Sequence, residues 1–115
     1  MNLGFYLNGF FGQEMSVQVW NNNPDWVEIV WIHLIWPVVP NGSLVKIKLE
    51  GNLLWNGIDS DGDAWVYAPF DEGPAIIPDF QDRELRFFFE NDAAMSTGYW
   101  LEIGFSNGCV KADGG

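Results

Sequence analysis

At 115 residues the chain fits a single domain, and 48% hydrophobic with 17% aromatic residues is enough to bury a core, which excludes a disordered acidic tail. Sixteen acidic against five basic residues leave a formal net charge of −11, which repels nucleic acid and anionic membrane surfaces. One cysteine, Cys109, excludes an internal disulfide and a thiolate zinc cluster.

The first charged side chain is Glu14, so residues 1–13, "MNLGFYLNGFFGQ", are apolar without the basic start or small-residue cleavage site of a secretory signal. Leu3, Phe5, Leu7 and Phe11 fall on alternate positions broken only at Gly9, the period of a strand. Such a strand carries none of the lysines that protect a sheet edge. It either completes its own sheet or adds to a neighbour's. The second alternative makes residues 1–14 a donated segment, with Leu3, Phe5, Leu7, Phe10 and Phe11 as an assembly interface and residues 15–115 as the domain proper.

"MSVQVW" predicts the next strand. "VEIVWIHLIW", residues 27–36, is apolar on both faces and predicts a central strand covered on each side. His33, Pro37 and Pro40 interrupt this region, and no run approaches the roughly 18 apolar residues of a membrane helix. In "VKIKLE" Val45, Ile47 and Leu49 point one way and Lys46, Lys48 and Glu50 the other.

"NGIDSDGDAW" then places Asp59, Asp61 and Asp63 at alternate positions, within a stretch from Asp59 to Asp92 that holds ten carboxylates opposed only by Arg83 and Arg86. Alternate aspartates in a turn can aim several oxygens at one calcium ion, which takes about 6 to 8. The spacing matches the opening of an EF-hand loop, but the place of its closing glutamate is held by Phe70. The loop reads either as a calcium site completed by Asp71, Glu72 or a backbone carbonyl, or as a solvated hairpin tip.

"WVYA" predicts a short strand. "PFDEGPAIIPDFQD", residues 69–82, reads as a long acidic connection with at most one more. "ELRFFFE" puts Leu85, Phe87 and Phe89 inward, Phe88 being the exception, and "YWLEIGF" repeats the design with Tyr99, Leu101, Ile103 and Phe105 as the last strand. Asn-Gly at 8–9, 41–42, 56–57 and 107–108 predicts tight hairpin turns. The fold class that follows is all-β, an antiparallel two-sheet sandwich.

From about residue 17 to Cys109 the order of features resembles a group of uncharacterised immunoglobulin-like β-sandwich domains of secreted bacterial surface and pilus-associated proteins. The pieces that carry it are "IWP" (Ile35 to Pro37), "LLWNG" (Leu53 to Gly57) and "FSNGC" (Phe105 to Cys109). Those domains often have a second cysteine before the "NNN" segment, and this chain lacks it. The resemblance implies a non-enzymatic, extracellular structural module and supplies no catalytic residue.

The residues give the same expectation of no catalysis. His33 lies inside the most apolar strand and Cys109 after the last one, so a dyad between them is outweighed by a packed histidine and an inert thiol. A glycosidase pair could be drawn from sixteen carboxylates at will, and no phosphate-cradling glycine loop is present. The seven tryptophans exceed what a small core needs. Trp20, Trp26, Trp36, Trp55, Trp65 and Trp100 fall near strand ends or opposite the inward set, and all but Trp36 are candidate ligand or interface aromatics. Exposed on a sheet they would stack on sugar rings, or bury themselves between copies of the protein. The expected function is thus a self-assembling subunit of a surface filament, formed by strand addition and stabilised by calcium. The alternative is a carbohydrate-binding module.

Overall fold

The computed structural model describes residues 2–95 and 97–114. In chain order these form β1 (Leu3–Phe11), β2 (Glu14–Asn21), β3 (Val27–Ile35), a single helical turn α1 (Val38–Asn41), β4 (Leu44–Leu49), β5 (Asn52–Asp59), β6 (Asp63–Tyr67), β7 (Ala75–Ile77), β8 (Gln81–Phe89), β9 (Trp100–Phe105) and β10 (Val110–Gly114). One sheet has the order β1-β2-β8-β4-β5, and the other β10-β9-β3-β6 with β7 beside the first half of β3. Every pairing is antiparallel.

That order is the immunoglobulin arrangement of four strands A-B-E-D against three, G-F-C. Strands β1, β2, β8 and β4 fill the first sheet, β10, β9 and β3 the second, and β5 to β7 are inserted between D and E. A second mark of such sandwiches is present. Tyr99, just before strand F, donates its hydroxyl to the carbonyl of Ala94 at 2.7 Å, tying the corner between β8 and β9. Two residues further on, where antibody domains place a cysteine, stands buried Leu101.

The alternation seen in the sequence builds the core. Val17 and Val19 from β2, Ile32 and Leu34 from β3, Leu85 and Phe87 from β8 and Ile103 from β9 are each at most 2% exposed. Phe88 points outward, with the Lys46 ammonium 4.7 Å and the Arg86 guanidinium 5.2 Å from its ring centre.

Several local expectations are corrected. Gly9 (φ 153°) sits at a bulge where β1 slips one residue against β2, so Phe10, opposite Met15, turns inward in place of Phe11. A shift between Leu44 and Lys46 similarly makes Leu44, not Val45, the first inward residue of β4. Of the four Asn-Gly pairs only Asn107-Gly108 lies in a hairpin turn; Asn8-Gly9 and Asn56-Gly57 are inside strands, and Asn41-Gly42 closes α1. The chain continues past the expected last strand into β10, and β5 forms where no strand was expected. Trp36 is core, 3% exposed, with its indole N–H donating to the Gly42 carbonyl at 2.9 Å.

β1 is the edge strand of its own sheet, registered against β2 from Leu3↔Asn21 to Phe11↔Glu14, and Leu3, at 1% exposure, belongs to the core.

Burial pushes the Tyr99 phenol above its ordinary value near 10, against a smaller lowering by the Asn41 hydrogen bond. The folded state therefore holds this proton more tightly than the unfolded one. The resulting stability is complete below pH about 10 and is lost as pH rises towards the folded value. Urea unfolding should show wild type losing stability more steeply above that pH than Tyr99→Phe; parallel losses would mean that other groups set the alkaline limit.

Candidate functional site: the outer face of the β3 sheet

β3 was expected to be covered on both sides, and it is covered on one. Ile29, Ile32 and Leu34 enter the core, while a bulge between Ile29 and Trp31 sets Trp31, His33 and Ile35 on the outer face. Registration against the neighbouring strands then fixes what surrounds them. Trp31 lies between Tyr67 of β6 and Gly104 of β9, His33 between Trp65 and Glu102, and Ile35 between Asp63 and Trp100. The nine residues form a grid three strands wide and three rungs deep.

Contacts within the grid are specific. The His33 ring stacks on the Trp65 indole, centroids 3.7 Å apart and planes 10° from parallel. His33 Nε2 lies 2.7 Å from Asp63 Oδ1 and Nδ1 lies 2.5 Å from Glu102 Oε1. The ring is thus held between two strands and covered by Trp65, which leaves His33 7% exposed. It is a packed histidine, but packed under Trp65 on the outer face and not in the core between the sheets.

Trp65 and Tyr67, two residues apart on an edge strand, are within 10° of parallel with centroids 6.2 Å apart, and Trp31 packs against Trp65 at 5.6 Å. Gly104 is required here. A Cβ on it would stand 2.0 Å from Trp31 Nε1, so the missing side chain is what lets the indole lie across β9. Trp65 is 49% exposed, Tyr67 59% and Trp100 41%, a large apolar surface for one face of a small domain.

The opposite face of the molecule differs. There Arg86 lies within 3.6 Å of Glu14 and 3.8 Å of Glu84, Lys46 and Lys48 stand opposite Phe88 and Arg86, and Ser16 donates to Glu84 at 2.5 Å. Around the aromatic grid the charged side chains are Asp63, Glu102 and, one rung beyond, Glu28 opposite Ile76.

Of the five tryptophans singled out from the sequence, Trp65 and Trp100 belong to this face. Trp20 packs over Gly4 on the other sheet, Trp55 packs against the core, and Trp26, 57% exposed, lies before the start of β3. Sequence reasoning missed Trp31, His33 and Tyr67. The available signal was the alternation Trp31, His33, Ile35 beside Trp65, Tyr67, which places both sets on one face once β3 and β6 pair.

The calcium candidates do not converge. Asp59 accepts from the backbone N–H of Asp61 at 3.0 Å, while Asp63 turns to His33. Asp71 and Glu72 lie at the far end of β5, their N–H groups on the carbonyls of Leu54 and Leu53. Five residues of strand, about 17 Å, separate Leu54 from Asp59. Among the described residues no group of three or more His, Cys, Asp or Glu side chains is gathered so as to hold a metal ion. The five named residues therefore do not fit a single calcium shell.

No protein-family model and no curated protein matches the chain. Among solved structures it is similar to an uncharacterized protein from Nocardia farcinica, described as revealing an immunoglobulin-like fold. Identity is 14%, coverage 96% of this chain and 81% of that one, and the TM-score 0.41. At that level the likeness carries no argument, and the architecture rests on the strand order and the tyrosine corner above. No helix among the described residues is long and apolar enough to cross a membrane.

Proposed function

We propose that the protein is a non-catalytic, extracellular binding module that takes a neutral polysaccharide on the outer face of the β3 sheet. The observation that carries this reading is the grouping of Trp65, Tyr67 and Trp100, all substantially exposed, with Asp63 and Glu102 on one sheet face. A pyranose ring offers apolar C–H faces and a rim of hydroxyls, so it needs flat apolar partners flanked by hydrogen-bond acceptors, and this face has both. Rigid aromatic side chains on strands lose little entropy when they bind. Charge selects the class of glycan. With Asp63, Glu102 and Glu28 beside the aromatics and a net charge of −11, uronate or sulfate polymers are repelled, whereas neutral chains are not.

A filament subunit that donates residues 1–14 is the weaker reading, because β1 is already registered along its length against β2 of its own chain.

Retention on insoluble cellulose, chitin and starch tests the binding reading. We expect retention on at least one of the three and none on a sulfated polymer. Trp65→Ala should weaken it by about tenfold or more, the effect of removing a central aromatic anchor. Ile58→Ala, exposed on β5 of the other sheet, should leave it unchanged. No retention on any of the three, or retention indifferent to Trp65→Ala, would overturn the reading.

A further inference from the structure

The β1 edge of the sandwich is unlike the others. β1 ends its sheet, so one side of its backbone faces away from β2 with N–H and C=O groups unpaired. It is nine residues long and carries neither charge nor proline, and the bulge at Gly9 leaves Leu3–Leu7 as its regular part. The other edge strands are guarded: β5 ends in Asp59 and has two register shifts against β4, β6 begins at Asp63, and β10 is five residues long and holds Lys111 and Asp113.

A second observation lies beside the first. Between β1 and β10 the two sheets do not close, leaving a mainly apolar cleft of about 240 Å³ lined by Phe5, Leu7, Phe10, Met15 and Leu101, with Asp113 of β10 its one charged side chain. Leu7 stands opposite core residue Val17 and therefore on the core side of β1, yet it is 52% exposed. Tyr6, on the other side of the strand, is 52% exposed as well. The seam thus combines unpaired backbone with unburied core.

We propose that the outer edge of β1 pairs antiparallel with the same edge of a second copy, about a two-fold axis at Phe5. Leu3 of one copy then stands opposite Leu7 of the other, the two five-stranded sheets join into one of ten, and each copy's edge covers the other's cleft. Charge argues for this occupant and this edge. Two molecules of −11 repel over most of their surfaces, and along the uncharged β1 segment a like copy meets fewest carboxylates, Asp113 at the cleft being the one beside it. Because the opposing force is like-charge repulsion, screened over about 8 Å at physiological salt, added salt strengthens the pairing. The inference is independent of the polysaccharide reading, which uses the outer face of the other sheet.

Sedimentation velocity of the full chain over a range of concentrations, at low and at high sodium chloride, tests it. We expect a monomer–dimer equilibrium with the dimer fraction rising with salt. Tyr6→Lys and Leu7→Lys, both at exposed positions, should each raise the dissociation constant by about tenfold or more, since each lysine then brings a charge to the seam opposite Gly4 or Leu3 of the other copy, where nothing pairs with it. Circular dichroism checks that each variant is folded, and either one suffices. Val110→Lys on β10 should leave the dimer intact. A monomer under all conditions, a dimer indifferent to the β1 lysines, a dimer broken by Val110→Lys, or one weakened by salt would overturn the proposal.

Discussion

Asn41→Leu is expected to lower the unfolding free energy by roughly 3 kcal/mol, a loss at the upper end for single substitutions. Asn41 is fully buried. Its Nδ2 donates to the Tyr99 hydroxyl at 2.9 Å and its Oδ1 accepts from the Ala94 N–H at 2.8 Å, while Tyr99 donates onward to the Ala94 carbonyl. The side chain therefore joins α1 to the β8–β9 corner across 53 residues of sequence. Leucine has nearly the same volume, so the cavity contribution is small. What is lost is one partner each for a half-buried hydroxyl and a half-buried amide, at about 1–2 kcal/mol apiece. Tyr99→Phe removes one of the same groups, so the double variant should lose less than the sum of the singles. Urea denaturation of the four proteins measures this. Strict additivity, or a loss below about 1 kcal/mol for Asn41→Leu, would show that the network contributes little.

Asn41 also marks where the sequence stops being legible. Beside Gly42 it reads as half of a hairpin turn, because the local pattern carries no sign of Ala94 or Tyr99. Where burial follows a period of two, the reading holds: Leu85, Phe87 and Phe89 enter the core, as do Leu101, Ile103 and Phe105. It fails where one residue shifts the phase, at Gly9 and between Leu44 and Lys46, since a bulge is set by the partner strand as much as by its own residues. The candidate site divides in the same way. Trp65 and Trp100 were legible as aromatics opposite the inward set. Trp31 and His33 were not, because a strand apolar on both sides looks doubly covered, and only the absence of a further layer over β3 shows that one side is wet. The aspartate loop shows the converse error. Spacing alone suggests that Asp63 serves a cation with Asp59 and Asp61, but a partner 30 residues away in sequence, His33, takes it.

Gly104→Ala is the substitution expected to separate the stability of the domain from the shape of its aromatic face. The added methyl would lie 2.0 Å from Trp31 Nε1 and 2.2 Å from Cε2, far inside van der Waals contact, so the indole must leave β9. Strain of this kind typically costs about 1–3 kcal/mol, and the displaced ring must change its packing against Trp65, its neighbour at 5.6 Å on the β6 side. Both a lower melting temperature and weaker retention on polysaccharide should follow. Replacing Trp31 by leucine in the same chain removes the clash but also one ring of the grid. Gly104→Ala with Trp31→Leu should therefore recover most of the stability and little of the retention. If the single variant keeps both properties, Trp31 does not need its place over Gly104. If the double variant recovers both, the grid works without that ring, and the face reduces to Trp65, Tyr67 and Trp100 acting alone.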